Sequence, residues 1–152
     1  MILALLSSAS LLRAERPHDW AYLEGSWQFE ASNGYTADIE YNTVAGGIAA
    51  IGKWKDKGGG QTIETLGWHP DEKAMVSIGF GSGAKFWQYH YTHVTEDKCS
   101  GTAIFIDPNG TVIQGNVSLT RVGPDSVSGQ LVGKTKDGEQ VNMSVKFTRK
   151  TP

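Results

Sequence analysis

The run FWQYHYTH at residues 86–93 is the densest group of side chains that could bind or orient a small molecule. Successive side chains of a strand point to opposite faces, so Trp87, Tyr89, Tyr91 and His93 are predicted to share one face, which we expect to point inward. Such a face is typical of a cavity wall on which hydroxyls and an imidazole orient a ligand. Ordinary core packing with satisfied polar tips is the alternative interpretation.

Metal binding is not predicted from this run or elsewhere. Strict alternation places His90 and His93 on opposite faces, where they cannot hold one ion. Cys99 is the only cysteine, which excludes an intrachain disulfide and a cysteine-based metal site. We therefore expect no metal and no cofactor.

The most informative acid is Glu64, which alternation places with Leu66 on one face and opposite Ile63 and Thr65. We favour the arrangement in which Ile63 and Thr65 point inward and Glu64 is solvated. In the alternative arrangement Glu64 is buried and its pKa is raised unless something pairs with it. It would then make a general acid/base pair with His93, the catalytic candidates of an enzyme.

Strands must position these side chains, and the sequence shows the pattern of strands. Apolar and polar residues alternate between turns that are rich in Gly, Asn and Asp, such as Asn33-Gly34. The pattern predicts an all-β, antiparallel up-and-down meander barrel of eight to ten strands, because closure removes the exposed edges. The expected strands are 26–31, 35–44, 48–55, 61–69, 74–80, 85–94, 100–106, 111–122, 126–135 and 139–149. The predicted ligand-binding residues are Tyr35, Tyr41, Trp54, Trp87, Tyr89, Tyr91 and His93.

The N-terminal part is predicted to lie outside the barrel domain, which we place at residues 17–152. Residues 17–23 are expected to form a short capping helix with Asp19 as N-cap. Residues 1–16 are interpreted as a signal peptide or an N-terminal helical extension, because they contain a short apolar core followed by small residues. Export to the periplasm or outside the cell is favoured, with a cytoplasmic location as the alternative.

Composition narrows the class of partner. The chain has 152 residues, the size of one domain, with a formal net charge of −2. It lacks the basic field that nucleic-acid binding needs, and its N-terminal apolar run is too short to span a bilayer.

The segment Gly25-Ser26-Trp27, with an arginine near the end of the last strand, resembles the calycin superfamily of lipocalins and fatty-acid-binding proteins. The Thr-Asp-Tyr motif of lipocalins and the two lid helices of fatty-acid-binding proteins are absent. A closer resemblance is to bacterial lipocalin-like proteins of uncharacterised function. It covers about residues 17 to 150 and lies in Leu23–Trp27, Leu66–Lys73, Asp107–Gly110 and Lys136–Glu139. The resemblance implies a barrel whose Trp27 closes one end, and it implies no catalytic residue.

Two classes of function remain open, beside a third, structural interpretation in which the barrel is filled by its own Trp, Tyr and Phe side chains and function lies at an outer patch. The first is a protein that binds a small apolar or aromatic molecule inside the barrel. The second is an isomerase, cyclase or hydratase that uses the pair of His93 and Glu64 in the same cavity. A homodimer is compatible with either class.

One contact at the closed end is also predicted. We expect the guanidinium of Arg149, in preference to that of Arg121, to lie on the Trp27 indole.

Overall fold

Ten runs of alternating residues form ten antiparallel strands in the computed structural model, which describes residues 20–151. Each strand pairs with the next along the chain, and β1 pairs with β10 to close the barrel. The predicted all-β meander is therefore confirmed, with the largest strand number expected. The strands are β1 (Gly25–Ala31), β2 (Thr36–Val44), β3 (Ala49–Asp56), β4 (Gln61–His69), β5 (Ala74–Gly81), β6 (Phe86–Val94), β7 (Lys98–Ile106), β8 (Val112–Gly123), β9 (Ser126–Thr135) and β10 (Gln140–Arg149).

Local turn chemistry explains why the strands end where they do. Gly34 has a φ of 86° between β1 and β2, a conformation that glycine adopts without steric cost. Between β7 and β8 the Asp107 carboxylate accepts hydrogen bonds from the backbone amides of Asn109 (2.8 Å) and Thr111 (2.9 Å). Short turns of this kind keep consecutive strands adjacent, as a meander requires.

One end of the barrel is closed around Trp27, which is fully buried. Its indole nitrogen donates a hydrogen bond of 2.7 Å to the Leu23 carbonyl oxygen. The Arg149 guanidinium lies 4.3 Å from the centroid of the indole, a cation–π contact. The predicted contact between Trp27 and Arg149 is confirmed, whereas Arg121 lies over the ring of Tyr22 at 5.1 Å.

The expected capping helix at residues 17–23 is not seen in the described part of the chain, where Trp20–Leu23 forms only a single 3-10 turn. The turn does not continue as a helix beyond Leu23, where Arg149 donates to the carbonyl oxygens of Tyr22 and Glu24. Gly25, with a φ of 107°, then turns the chain into β1. Residues 1–19, including the predicted signal peptide and the Asp19 N-cap, lie outside the described residues.

Between residues 20 and 151 there is no helix with the length and apolar character needed to cross a membrane.

Candidate functional site

The barrel encloses a cavity of about 320 Å³ that is lined mainly by aromatic and aliphatic side chains. Six of the seven predicted ligand-binding residues lie on its wall, and His93 does not. Their role in binding stays a prediction. The six are Tyr35, Tyr41, Trp54, Trp87, Tyr89 and Tyr91, and Phe29, Phe105, Val117, Leu131, Met143 and Phe147 complete much of the apolar lining.

The cavity runs from the closed end towards the loops at the opposite end. Tyr22 and Leu23 border it near the Trp27 plug, while Asn33 and Pro108 border it at the other end, which we call the mouth. The mouth is formed by the loops that follow the odd-numbered strands. A small molecule entering there would meet aromatic side chains along the path inward.

A buried carboxylate lies in the cavity wall. Glu64 is 5% exposed and accepts three hydrogen bonds. The Tyr41 hydroxyl (2.7 Å) and the Trp54 indole nitrogen (3.0 Å) donate to Oε2, and the Ser77 hydroxyl lies 2.5 Å from Oε1. The Trp87 indole nitrogen donates in turn to Ser77 Oγ at 3.0 Å. Because an indole N–H can only donate, the network runs from the two tryptophans towards the carboxylate.

Two glycines make room for this network. Tyr41, Gly52, Glu64, Gly79 and Trp87 follow one another across five strands at paired positions. A Cβ atom at Gly52 would lie 2.6 Å from the Tyr41 ring, and one at Gly79 would lie 2.2 Å from the Trp87 ring. The missing side chains therefore allow both rings to lie over the backbone beside Glu64.

Burial and hydrogen bonding act in opposite directions on Glu64. Burial raises the pKa of the Glu64 carboxyl above its usual value, although the hydrogen bonds from Ser77, Tyr41 and Trp54 favour the charged form. No ion pair of residues 20–151 includes Glu64. The cavity thus holds a carboxyl group with three donors and no counter-ion.

The favoured arrangement of β4, with Glu64 in solvent and Ile63 and Thr65 inward, is wrong. Ile63 is 49% exposed and pairs with Phe80 on the outside of the barrel. The outward position is less costly for Ile63 because Phe80 and Phe86 continue an apolar row there, with ring centroids 5.4 Å apart. The hydrogen bonds to Glu64 offset much of the cost of its burial.

The prediction that His93 faces inward is also wrong. The pairing of β6 with β7 shifts between Tyr91 and His93, so that Thr92 is an extra residue in a β-bulge. The bulge reverses the alternation, and His93 becomes exposed while Val94 packs against the core. His90, bonded to Glu72 at 2.8 Å, also lies outside, so the two histidines do not point to opposite faces.

The proposed acid/base pair of His93 and Glu64 is therefore not formed. Glu64 lies inside the barrel, and His93 lies on its outer surface beside Thr92. The enzyme alternative loses the general base on which it depended.

Sequence reasoning missed a second polar group, at the mouth. Lys85 is 7% exposed, and its ammonium lies 2.9 Å from the Tyr35 hydroxyl and 3.3 Å from Asp56 Oδ2. Burial opposes the charge of Asp56, but hydrogen bonds from the Gly60 amide and from Lys85 outweigh it and hold the pKa of this carboxyl below its usual value. The position of Lys85, two residues before inward Trp87, is the signal that could have identified it.

Among residues 20–151 no three His, Cys, Asp or Glu side chains come together in a way that could hold a metal ion. Burial raises the pKa of the Cys99 thiol to about 12, so this side chain is a small apolar filler rather than a nucleophile.

No family model and no curated protein matches the chain. Similar solved structures include the redesigned β-barrel b11L5F_LGL, at 15% identity and a TM-score of 0.40, over 88% of this chain and 96% of that one. The redesigned barrel mFAP1, bound to DFHBI, has 15% identity and a TM-score of 0.40 over 86% of this chain and 98% of that one. The barrel mFAP0, bound to DFHBI, has 12% identity and a TM-score of 0.39 over 84% and 99%. Similarity of this degree carries no functional implication.

Proposed function

We propose that this protein binds a small, largely apolar or aromatic molecule inside the barrel. The observation that carries the proposal is the cavity of about 320 Å³ bordered by Trp54, Trp87, Tyr89 and Tyr91. Ligand pockets of proteins are concave, mostly apolar and equipped with a few polar groups that set orientation. The volume suits a ligand of one or two aromatic rings.

The two polar groups of the cavity support the same function. Glu64 lies within the cavity wall and the Lys85–Asp56 pair lies at the mouth. A bound molecule can therefore contact one polar group inside the barrel and a second one near the entrance. A barrel that served only as a filled structural core would gain nothing from burying a carboxylate that lacks a counter-ion. The Trp27–Arg149 contact further supports assignment of the barrel to the calycin type, which we include in the proposal.

Binding of the neutral fluorescent probe N-phenyl-1-naphthylamine tests this function. We expect saturable fluorescence enhancement that Met143→Trp abolishes, because Met143 lines the cavity and a larger ring there fills it. The control is Phe80→Ala, which removes a 65% exposed ring from the outer surface and should leave binding unchanged. Loss of binding in Phe80→Ala, with retention in Met143→Trp, would place the probe on the outer surface and contradict the proposal.

A further inference from the structure

The chemistry around Glu64 defines the class of ligand more narrowly, and this step rests on the proposed function. We propose that the cavity selects a compact organic cation, such as a protonated aromatic amine, whose ammonium group lies beside the Glu64 carboxylate. The argument uses the hydrogen bonds of Glu64, the charges that line the cavity and the aromatic side chains around it.

The first step concerns the free acceptor capacity of Glu64. Among residues 20–151, Oε2 accepts from Tyr41 and Trp54 and Oε1 accepts from Ser77, while the nearby Trp87 indole, bonded to Ser77 Oγ, also favours the charged form of Glu64. A carboxylate has about four lone-pair positions and three are used by these short hydrogen bonds, so a ligand donor can approach Oε1. Since Glu64 borders the cavity, a donor on a bound molecule can reach this oxygen.

The second step concerns the sign of the charge. The cavity lining contains the acids Glu64 and Asp107 and the base Lys85. Lys85 is balanced by Asp56, which it contacts at 3.3 Å. Arg121 lies behind the Tyr22 ring and is not part of the lining. A cation therefore supplies the counter-ion that Glu64 lacks, while an anion would meet uncompensated negative charge.

The third step concerns the aromatic rings. Trp54 and Trp87 pack edge to face at a centroid distance of 5.3 Å, and Trp87 stacks with Tyr89 at 6.3 Å. Trp54 donates directly to Glu64, so indole and carboxylate occupy the same part of the wall. Aromatic faces attract organic cations, and the attraction grows when water is excluded. The combination of indoles with a buried carboxylate favours an ammonium group over a neutral methyl group of the same shape.

Three probes of matched shape decide between the charges: phenethylammonium, its neutral analogue propylbenzene and its anionic analogue 3-phenylpropanoate. Their affinities are measured by calorimetry and by the fluorescence of the cavity tryptophans at neutral pH. We expect the cation to bind at least about ten-fold more tightly than propylbenzene, and the anion to bind most weakly. Equal or tighter binding of propylbenzene overturns the inference while leaving the proposed function intact. If none of phenethylammonium, propylbenzene and N-phenyl-1-naphthylamine binds, the proposed function fails as well.

Glu64→Gln identifies the responsible group. It should reduce the preference for the cation to about one while propylbenzene still binds, because the amide is neutral. Glu30→Gln is the matched control, since Glu30 is an exposed carboxylate on β1 and its loss changes the net charge equally. A cation preference that survives Glu64→Gln, or that disappears in Glu30→Gln, overturns the assignment to Glu64. If Glu64→Gln does not fold, as judged by circular dichroism, the wild-type ratio of the three probes still decides the sign.

Discussion

The Arg149 guanidinium lies 4.3 Å from the centroid of the Trp27 indole and donates to the carbonyl oxygens of Tyr22 and Glu24. It also pairs with Asp125 at 3.0 Å. One side chain from β10 thus joins the plug residue of β1, the 3-10 turn and the loop between β8 and β9. The closed end of the barrel depends on this arrangement.

Trp27→Ala should reduce the free energy of unfolding by about 3–5 kcal/mol, as expected for removal of a large, fully buried ring. Trp27→Phe should cost less, since it keeps an aromatic face for Arg149 and loses the hydrogen bond to Leu23. Urea denaturation of the three proteins measures the difference. An unchanged midpoint in Trp27→Ala would show that the plug adds nothing to stability.

The stability contributed by Glu64 should depend on pH with a defined sign. Its folded-state pKa is raised by burial, so between the unfolded value of about 4.5 and the folded pKa the native state binds more protons than the unfolded state. The wild type should therefore lose stability relative to Glu64→Gln as the pH rises through this window. The measurement is urea denaturation of both proteins between pH about 4 and about 8.

Glu24→Gln provides a control for which the expected change of stability with pH has the opposite sign. The hydroxyl and the backbone amide of Thr43, each 2.6 Å from Glu24, lower the pKa of this carboxyl. The wild type should gain stability relative to Glu24→Gln as the pH rises through the Glu24 titration. Slopes of the same sign in the two variants would contradict the assignment for Glu64.

Gly79→Ala should displace the Trp87 ring and reduce stability by about 1–3 kcal/mol, because the added methyl group overpacks the wall. Binding of N-phenyl-1-naphthylamine should weaken in parallel. Gly67→Ala is the matched control, since Gly67 lies in the adjacent strand and a Cβ there meets no atom within 4 Å. Equal losses in both variants would show that strand glycines matter for a reason other than the space they leave for Trp87.

His93→Ala should leave probe affinity within about two-fold of the wild type, because the bulge at Thr92 places the imidazole outside the barrel. Tyr89→Ala should weaken binding about ten-fold, since a ring that borders the cavity is lost. Fluorescence titration of both variants tests the direction of the two side chains. A stronger effect of His93→Ala than of Tyr89→Ala would place the probe outside the cavity.

The fold could be predicted from the sequence because its signals are local. Alternation and turn residues such as Asn33-Gly34 placed all ten strands within two residues of their observed bounds. The contact of Trp27 with Arg149 also followed from alternation, since both residues lie on inward positions of strands that pair with each other.

The site was predicted less well, because its determinants are not local. In β4 each face carries both apolar and polar side chains, so the choice between Glu64 and Ile63 depended on donors from other strands. The β-bulge at Thr92 could not be predicted from the run of aromatic residues, because nothing in its composition or alternation indicates an extra residue. Gly52 and Gly79 were the available signal, because inward glycines beside an acid leave space for neighbouring rings.

The pairing of β1 with β10 has a consequence for biosynthesis. A nascent chain that has released β1 to β9 still has two unpaired edges, which are templates for contact with other chains. The pairing of β1 with β10 joins segments that are separated by most of the sequence. The loop-closure entropy of this pairing is therefore lost late in folding. Until β10 has left the ribosome, Trp27 also lacks Arg149. The interval before β10 pairs with β1 is therefore the period in which this barrel is most exposed to aggregation.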